Sequence, residues 1–259
     1  MNLMNHLDQQ SSHLSSLFPI FLLTFFLLPR FLKYVCVLYD KVENLSSTID
    51  DETSSLFVSE IINWLAGGQF EGGLQTEAVY AVGHSRGGKI SLLAAERDER
   101  IGAVCLVDPV DSNEYAPEGP GYPSAIKALP AFSAPLAVIG GGHSEDCIPV
   151  QSNYKRFFEG ASSRAMLCNV KEAGHFQYLD RTSMVQAAVC SEGKVASQAV
   201  RDLSKAVIVA WAEIMLPQRG AKADVKRQQL TMINASVEKW LKTSVFQNAD
   251  VNFEVKGFQ

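Results

Sequence analysis

The sequence predicts an α/β protein in which a mostly parallel β-sheet is flanked by helices. From about residue 50 onward, short apolar segments alternate with longer segments of helical spacing, which is typical of this class. Turns that contain Gly or Asp come directly after several of the apolar segments. The chain has 259 residues, with 47% hydrophobic and 20% charged residues, which suits one sizeable globular domain.

The individual elements can be assigned in chain order. Asp50-Asp51-Glu52 indicates the acidic, capped start of a first helix that ends at Gly67-Gly68. Buried strands are predicted at residues 78–82, 101–107, 135–139 and 165–170, and further helices at residues 89–96, 151–160, 195–215 and 224–241. Residues 111–134 contain several Pro and Gly residues and predict a loop. No regular structure is expected for the last residues.

The first predicted strand is followed by Gly83-His84-Ser85-Arg86-Gly87-Gly88. This segment matches G-x-S-x-G, the nucleophile elbow of serine hydrolases, and a helical segment follows it as the motif requires. Gly83 and Gly87 are expected because a Cβ at either position would collide with neighbouring backbone. We expect a strained Ser85 at the start of a helix, where the backbone N–H of Arg86 faces a developing oxyanion.

A serine nucleophile needs an imidazole base, which in turn needs a carboxylate to orient it. Among the five histidines, His175 follows the last predicted strand, where the base of an α/β-hydrolase is found. His143 is interpreted as a loop residue, and His84 is expected to point away from Ser85. Two carboxylates follow predicted strands, Asp108 and Asp146, and the residues alone do not decide between them.

Residues 1–45 differ from the rest of the chain. Residues 17–28 form an apolar run of 12 residues, shorter than the roughly 20 that a membrane-spanning helix needs. Extending the run to residue 38 includes two charges and two prolines, and residues 1–16 contain no Lys or Arg for a signal peptide. Three interpretations stay open: a poorly folded segment with peripheral membrane association through residues 17–38, a cleaved targeting peptide, or strands of the core. We therefore predict an atypical segment at 1–45 and a hydrolase domain at 46–259.

Composition excludes some classes of function. A net charge of −5, with no basic run, argues against nucleic acid as a partner. The five cysteines are scattered and contain no C-x-x-C, which predicts free or buried thiols in a reducing compartment. No metal-ligand spacing occurs among His, Cys and Asp, so no metal is expected.

Four motifs together resemble the chlorophyllase family, plant α/β-hydrolases that remove phytol from chlorophyll. These are Gly83–Lys89 (G-H-S-R-G-G-K), Val107–Asp111 (V-D-P-V-D), Gly174-His175 with Leu179-Asp180, and Asn63–Leu65 (N-W-L). The resemblance extends over about residues 50–241. It implies Ser85 as nucleophile, Asp108 as triad acid, His175 as base, no cofactor, a small-molecule ester as substrate and a chloroplast location, with the cytoplasm or another membrane-associated compartment as the alternative.

The region before the elbow departs from this family pattern. Chlorophyllases have several strands there, one of which ends in a His-Gly loop that supplies a second oxyanion donor, and no His-Gly occurs in residues 1–45. We expect the first strands to be missing or atypical, through truncation or alteration of the N-terminus, and the second donor to be absent. Two alternative functions follow: a generic lipase-like or cutinase-like esterase with the same triad, and an inactive hydrolase-fold binding protein.

Overall fold

A computed structural model describes residues 20–25, 34–39, 48–68, 74, 76–143, 147–162, 164–216, 223–243 and 250–259. Within these ranges the chain forms a seven-stranded sheet of order β2-β1-β3-β4-β5-β6-β7. The strands are β1 (Ile20–Phe25), β2 (Tyr34–Tyr39), β3 (Val79–His84), β4 (Ile101–Val107), β5 (Leu136–Gly141), β6 (Ala165–Val170) and β7 (Val251–Lys256).

The centre of the sheet is parallel and its two edges are antiparallel. Strands β3, β4, β5 and β6 run parallel in that order, while β1 pairs antiparallel with both β3 and β2, and β7 pairs antiparallel with β6. Every residue of β3 and β5 is buried, which explains their continuous apolar sequences. The carboxyl ends of the four parallel strands therefore lie along one edge, where α/β folds bind their ligands.

Helices cover both faces of the sheet, as predicted. The helices are α1 (Asp51–Ala66), α2 (Arg86–Arg97), α3 (Ala125–Ala128), α4 (Tyr154–Gly160), α5 (Met184–Val189), α6 (Ser197–Met215) and α7 (Ala223–Thr243). Side chains of α1 to α4 pack into one core layer, and those of α6 and α7 pack into the layer on the opposite face. The structure thus has the predicted α/β-hydrolase type of architecture.

The N-terminal apolar residues contribute strands in this structure. Ile20–Phe25 lies beside the elbow strand, with Ile20 opposite Gly83, and Tyr34–Tyr39 forms the outer edge. Of the three interpretations for this segment, strands of the sheet is the arrangement found for these two stretches. The rest of residues 1–45 lies outside the described residues. Among the described helices, none combines the length and apolar character needed to cross a membrane.

Two expectations about the remaining chain were wrong, and one was largely right. The last residues are not irregular, because β7 pairs along the whole of β6. The predicted loop at 111–134 is a loop except for the short helix α3. The cysteines are not all thiols, because Cys147 and Cys190 form a disulfide, while Cys36, Cys105 and Cys168 are free. The disulfide escaped prediction because its two partners are 43 residues apart in sequence.

Candidate active site

Ser85 occupies the turn between β3 and α2. Strand β3 ends at His84 and helix α2 begins at Arg86, so one residue makes the whole connection. The backbone of Ser85 has φ 57° and ψ −127°, a conformation that residues other than glycine rarely adopt. The predicted strain at the elbow is therefore present. Helix α2 begins three residues earlier than its sequence pattern predicted.

The glycines of the motif make this tight turn possible. A Cβ on Gly83 would lie 2.1 Å from the carbonyl oxygen of Gly87, and a Cβ on Gly88 would lie 3.0 Å from the Cβ of Pro109. The first distance is far inside van der Waals contact, so any other residue at position 83 would displace the start of α2. Gly83 and Gly87 thus touch directly, and their contact fixes where Ser85 stands above the sheet.

His175 brings its imidazole to Ser85 from the end of another strand. It opens a 3₁₀ turn, His175–Tyr178, that follows β6. Its Nε2 lies 2.9 Å from Ser85 Oγ, and both side chains are buried. The turn is held by Gln177, whose side-chain oxygen accepts the N–H of Gly174 at 2.8 Å. The predicted nucleophile and the predicted base are 90 residues apart in sequence, but in the structure they lie within hydrogen-bonding distance.

Asp108 completes the chain of hydrogen bonds. Its Oδ2 lies 2.6 Å from His175 Nδ1, and its Oδ1 accepts the backbone N–H of Gly141 at 2.8 Å. The residue follows β4 directly and has φ 42°, a backbone conformation that residues other than glycine rarely adopt. Asp146, the alternative acid, lies outside the described residues. Asp108 therefore takes the position that a triad acid requires.

Burial dominates the electrostatics of this carboxylate. It raises the pKa of Asp108 to about 6, although the hydrogen bond from Gly141 acts in the opposite direction. An ionised Asp108 accepts from Nδ1–H of His175 and stabilises the imidazolium that forms when Nε2 takes a proton.

Arg86, whose backbone N–H is the predicted oxyanion donor, is the first residue of α2. Its side chain makes separate contacts: Nε donates to Asp51 Oδ1 at 2.6 Å, and a terminal nitrogen donates to the carbonyl of Ile49. The predicted lack of a second oxyanion donor stays a prediction, because the residues immediately before β1 lie outside the described part of the chain.

A buried ion cluster supports the elbow from the other side, and sequence reasoning missed it. Lys89 on α2 places Nζ 2.7 Å from Asp51, 3.7 Å from Asp111 and 2.9 Å from Ser112 Oγ. Asp111 in turn accepts the backbone N–H groups of Ala125 and Ile126 at the start of α3. The cluster ties α1, α2, α3 and the loop after β4 together around the nucleophile. In the sequence, the sign of this cluster was that Lys89 and Asp111 end the motifs Gly83–Lys89 and Val107–Asp111.

The other histidines have different surroundings. His84 is buried behind His175, and its Nε2 lies 2.8 Å from the main-chain oxygen of that residue. That its side chain points away from Ser85 stays a prediction, and its contact with the ring of His175 was not foreseen from the sequence. His143 lies in a loop after β5, as expected, and its side chain is buried, with Nδ1 3.5 Å from a carboxylate oxygen of Glu172. Within the described ranges, no three His, Cys, Asp or Glu side chains group as metal ligands.

Known proteins resemble this chain at the level of family and of fold. The family model described as Chlorophyllase matches residues 39–241. Among solved structures, the chain is similar to a ferulic acid esterase from Streptomyces cinnamoneus, with 17% identity and a TM-score of 0.52. That similarity covers 73% of this chain and 60% of the esterase chain. Comparison of the sequence with curated proteins gives no match.

The match covers all of the site residues described above and most of the chain. The likeness to the esterase independently supports the hydrolase fold. The protein therefore belongs to the chlorophyllase family, a family of carboxylic ester hydrolases.

Proposed function

We propose that this protein hydrolyses the phytyl ester of chlorophyll to chlorophyllide and phytol, with Ser85, His175 and Asp108 as its catalytic triad. The observation that carries the proposal is the unbroken chain of short contacts, 2.9 Å from Ser85 Oγ to His175 Nε2 and 2.6 Å from His175 Nδ1 to Asp108 Oδ2. Family membership supports chlorophyll as the substrate.

In the first half of the reaction, Ser85 Oγ attacks the ester carbonyl carbon while His175 Nε2 takes the hydroxyl proton. The negative charge that develops on the carbonyl oxygen is stabilised by the backbone N–H of Arg86 and by the N-terminus of α2. The tetrahedral intermediate then collapses and breaks the bond to the alcohol oxygen. His175 returns its proton to that oxygen, phytol leaves, and the acyl group stays esterified to Ser85.

In the second half, a water molecule replaces the alcohol. His175 takes a proton from the water as its oxygen attacks the acyl carbon, and it then returns this proton to Ser85 Oγ. Chlorophyllide leaves as the free acid. Throughout both halves Asp108 keeps a proton on Nδ1 of His175, so that Nε2 is available as the base. No cofactor enters this scheme.

An apolar surface on the helix that follows the His175 turn in sequence supports a bulky, water-insoluble ester. Helix α5 follows the His175 turn, and its Met184, Val185 and Val189 side chains are 90%, 73% and 66% exposed. The one buried residue of α5 is Gln186. This helix thus exposes apolar side chains and buries a polar one, the reverse of a typical surface helix. A hydrocarbon tail or a tetrapyrrole face is the type of group that such a surface contacts.

The experiment that tests the proposal compares chlorophyll a with an aryl butyrate ester, using the parent protein and Ser85→Ala. We expect hydrolysis of both esters by the parent and none by the variant, whose melting temperature should match the parent. Labelling by a fluorophosphonate probe should require Ser85. Hydrolysis of the aryl ester without hydrolysis of chlorophyll would contradict the substrate class, and absence of labelling would contradict the triad.

Family membership also leads us to propose a chloroplast location and peripheral contact with a membrane. Localisation of a fluorescent fusion tests the first. Flotation of the protein with lipid vesicles, compared with a variant in which Leu38 on β2 is changed to Ser, tests the predicted contribution of residues 17–38. Leu38 is suited to this test because its side chain is 56% exposed.

A further inference from the structure

His84 precedes the nucleophile in sequence and contacts the base, but it has no part in the proton transfers described above. It is the last residue of β3, immediately before Ser85, and its side chain is buried. Its Nε2 lies 2.8 Å from the main-chain carbonyl oxygen of His175. A carbonyl oxygen only accepts hydrogen bonds, so Nε2 must carry the hydrogen.

The other ring nitrogen of His84 has no hydrogen-bond partner among the described residues. A buried nitrogen without a partner destabilises a fold, and an apolar side chain of similar size would avoid that cost. An imidazole at this position is therefore poorly explained by packing alone. What it provides, and an apolar side chain would not, is the bond from Nε2–H to His175.

The ring of His84 also packs against the ring of His175. The two ring centroids are 4.7 Å apart with an interplanar angle of 33°. Phe176 contacts the His175 ring from another direction, at 4.9 Å and 63°. Burial, together with the nearby His175, lowers the pKa of His84 to about 3, so this second imidazole stays neutral when His175 gains a proton.

We propose that His84 is a positioning residue that holds the main chain of His175, so that Nε2 of His175 stays within hydrogen-bonding distance of Ser85 Oγ. This inference rests on the proposed function of the triad. Two adjacent residues at the end of β3 would then act together: Ser85 as the nucleophile, and His84 as the residue that holds the main chain of the base. Asp108 restrains the ring of His175 from β4, and His84 restrains its backbone from β3.

The test compares His84→Leu, which removes the donor, with His84→Gln, whose side-chain amide can donate to the same carbonyl. The rate of Ser85 labelling by a fluorophosphonate and the kcat and KM for an aryl ester are measured for both. We expect His84→Leu to lower the labelling rate and kcat by about tenfold to a hundredfold, with KM nearly unchanged, because the base is misplaced by a fraction of an ångström or more. His84→Gln should recover most of the loss.

A second readout is independent of activity. The proton shared by His175 Nδ1 and Asp108 gives a downfield proton resonance in NMR spectra, which we expect to shift or broaden in His84→Leu and to stay near its parent position in His84→Gln. A parent protein that shows this resonance but is not labelled at Ser85 would contradict the proposed function alone. Parent-like labelling and resonance in His84→Leu, or equal impairment of both variants, would overturn the positioning role.

Discussion

Replacing Gly83 by Ala places one methyl group at the closest backbone contact of the elbow. The added Cβ would lie 2.1 Å from the carbonyl oxygen and 2.2 Å from the carbonyl carbon of Gly87, and 2.6 Å from the nitrogen of Gly88. Real Cβ atoms essentially never approach such atoms closer than 3.0 Å, so the start of α2 must move by about 1 Å. Ser85, which connects the two elements, must move with it.

This displacement has two consequences of calculable size. Overpacking of this kind costs about 3 kcal/mol of unfolding free energy, which in a chain of this length lowers the melting temperature by about 6–12 °C. Misplacing a nucleophile by about 1 Å costs about a hundredfold in rate. Gly83→Ala should therefore be less stable than the parent and also react about a hundredfold more slowly with a fluorophosphonate.

Thermal unfolding followed by circular dichroism and the labelling rate below the melting temperature measure these two effects. Gly119→Ala is the matched control, because a Cβ there would meet no heavy atom within 4 Å, and we expect it to behave like the parent. A Gly83→Ala protein with the parent's melting temperature and labelling rate would refute the argument that this contact fixes the elbow.

Three further predictions concern charge and covalent structure. The labelling rate of Ser85 should fall as the pH is lowered through about 6, because Asp108, whose pKa is raised to about 6, then takes up a proton and no longer stabilises the imidazolium. Asp108→Asn should label slowly at every pH in this range, and a parent rate that is constant from pH 7 to pH 5 would contradict the assignment. Lys89→Met should lower the unfolding free energy in urea by about 3 kcal/mol, because it leaves the buried Asp111 without a cation and Asp51 with Arg86 alone. Arg97→Gln, at the exposed pair with Glu52, should change the unfolding free energy by less than about 1 kcal/mol, and equal effects of the two variants would be inconsistent with the buried cluster. Changing Cys147 and Cys190 to Ala together should lower the unfolding free energy by about 4 kcal/mol, because it removes a cross-link between residues 43 apart in sequence. Cys36→Ala, at a free thiol, should have little effect, and an unchanged melting temperature in the double variant would contradict the disulfide.

Much of the fold was predictable because local patterns in this chain agree with the global structure. The strands at 101–107 and 165–170 match the structure residue for residue, since continuous apolar runs bounded by turns have few alternatives in an α/β domain. Strand β7 was missed, although V-N-F-E-V-K alternates apolar and polar residues as an edge strand does. Its pairing depends on the exposed edge of β6, which no local pattern reveals.

The N-terminal apolar segment illustrates the same limit. Its composition is compatible with a membrane surface, a targeting peptide or a sheet strand, because all three favour the same side chains. In the structure Ile20–Phe25 is a strand because both of its neighbours, β2 and β3, offer backbone partners. The choice between these environments is made by distant residues.

By itself, the sequence determined the architecture, and it pointed to Ser85 and His175 as the candidate nucleophile and base. The elbow requires glycines at fixed spacing around Ser85, and a hydrolase base must follow a late strand, so both residues leave a signature in the linear chain. The tertiary structure decided which carboxylate reaches His175, how Lys89 joins two aspartates, and that His84 contacts the main chain of the base. The physical reason is that these contacts depend on how separate strand ends and helices are brought together, and a distance of a few ångströms between them is not encoded in any local pattern.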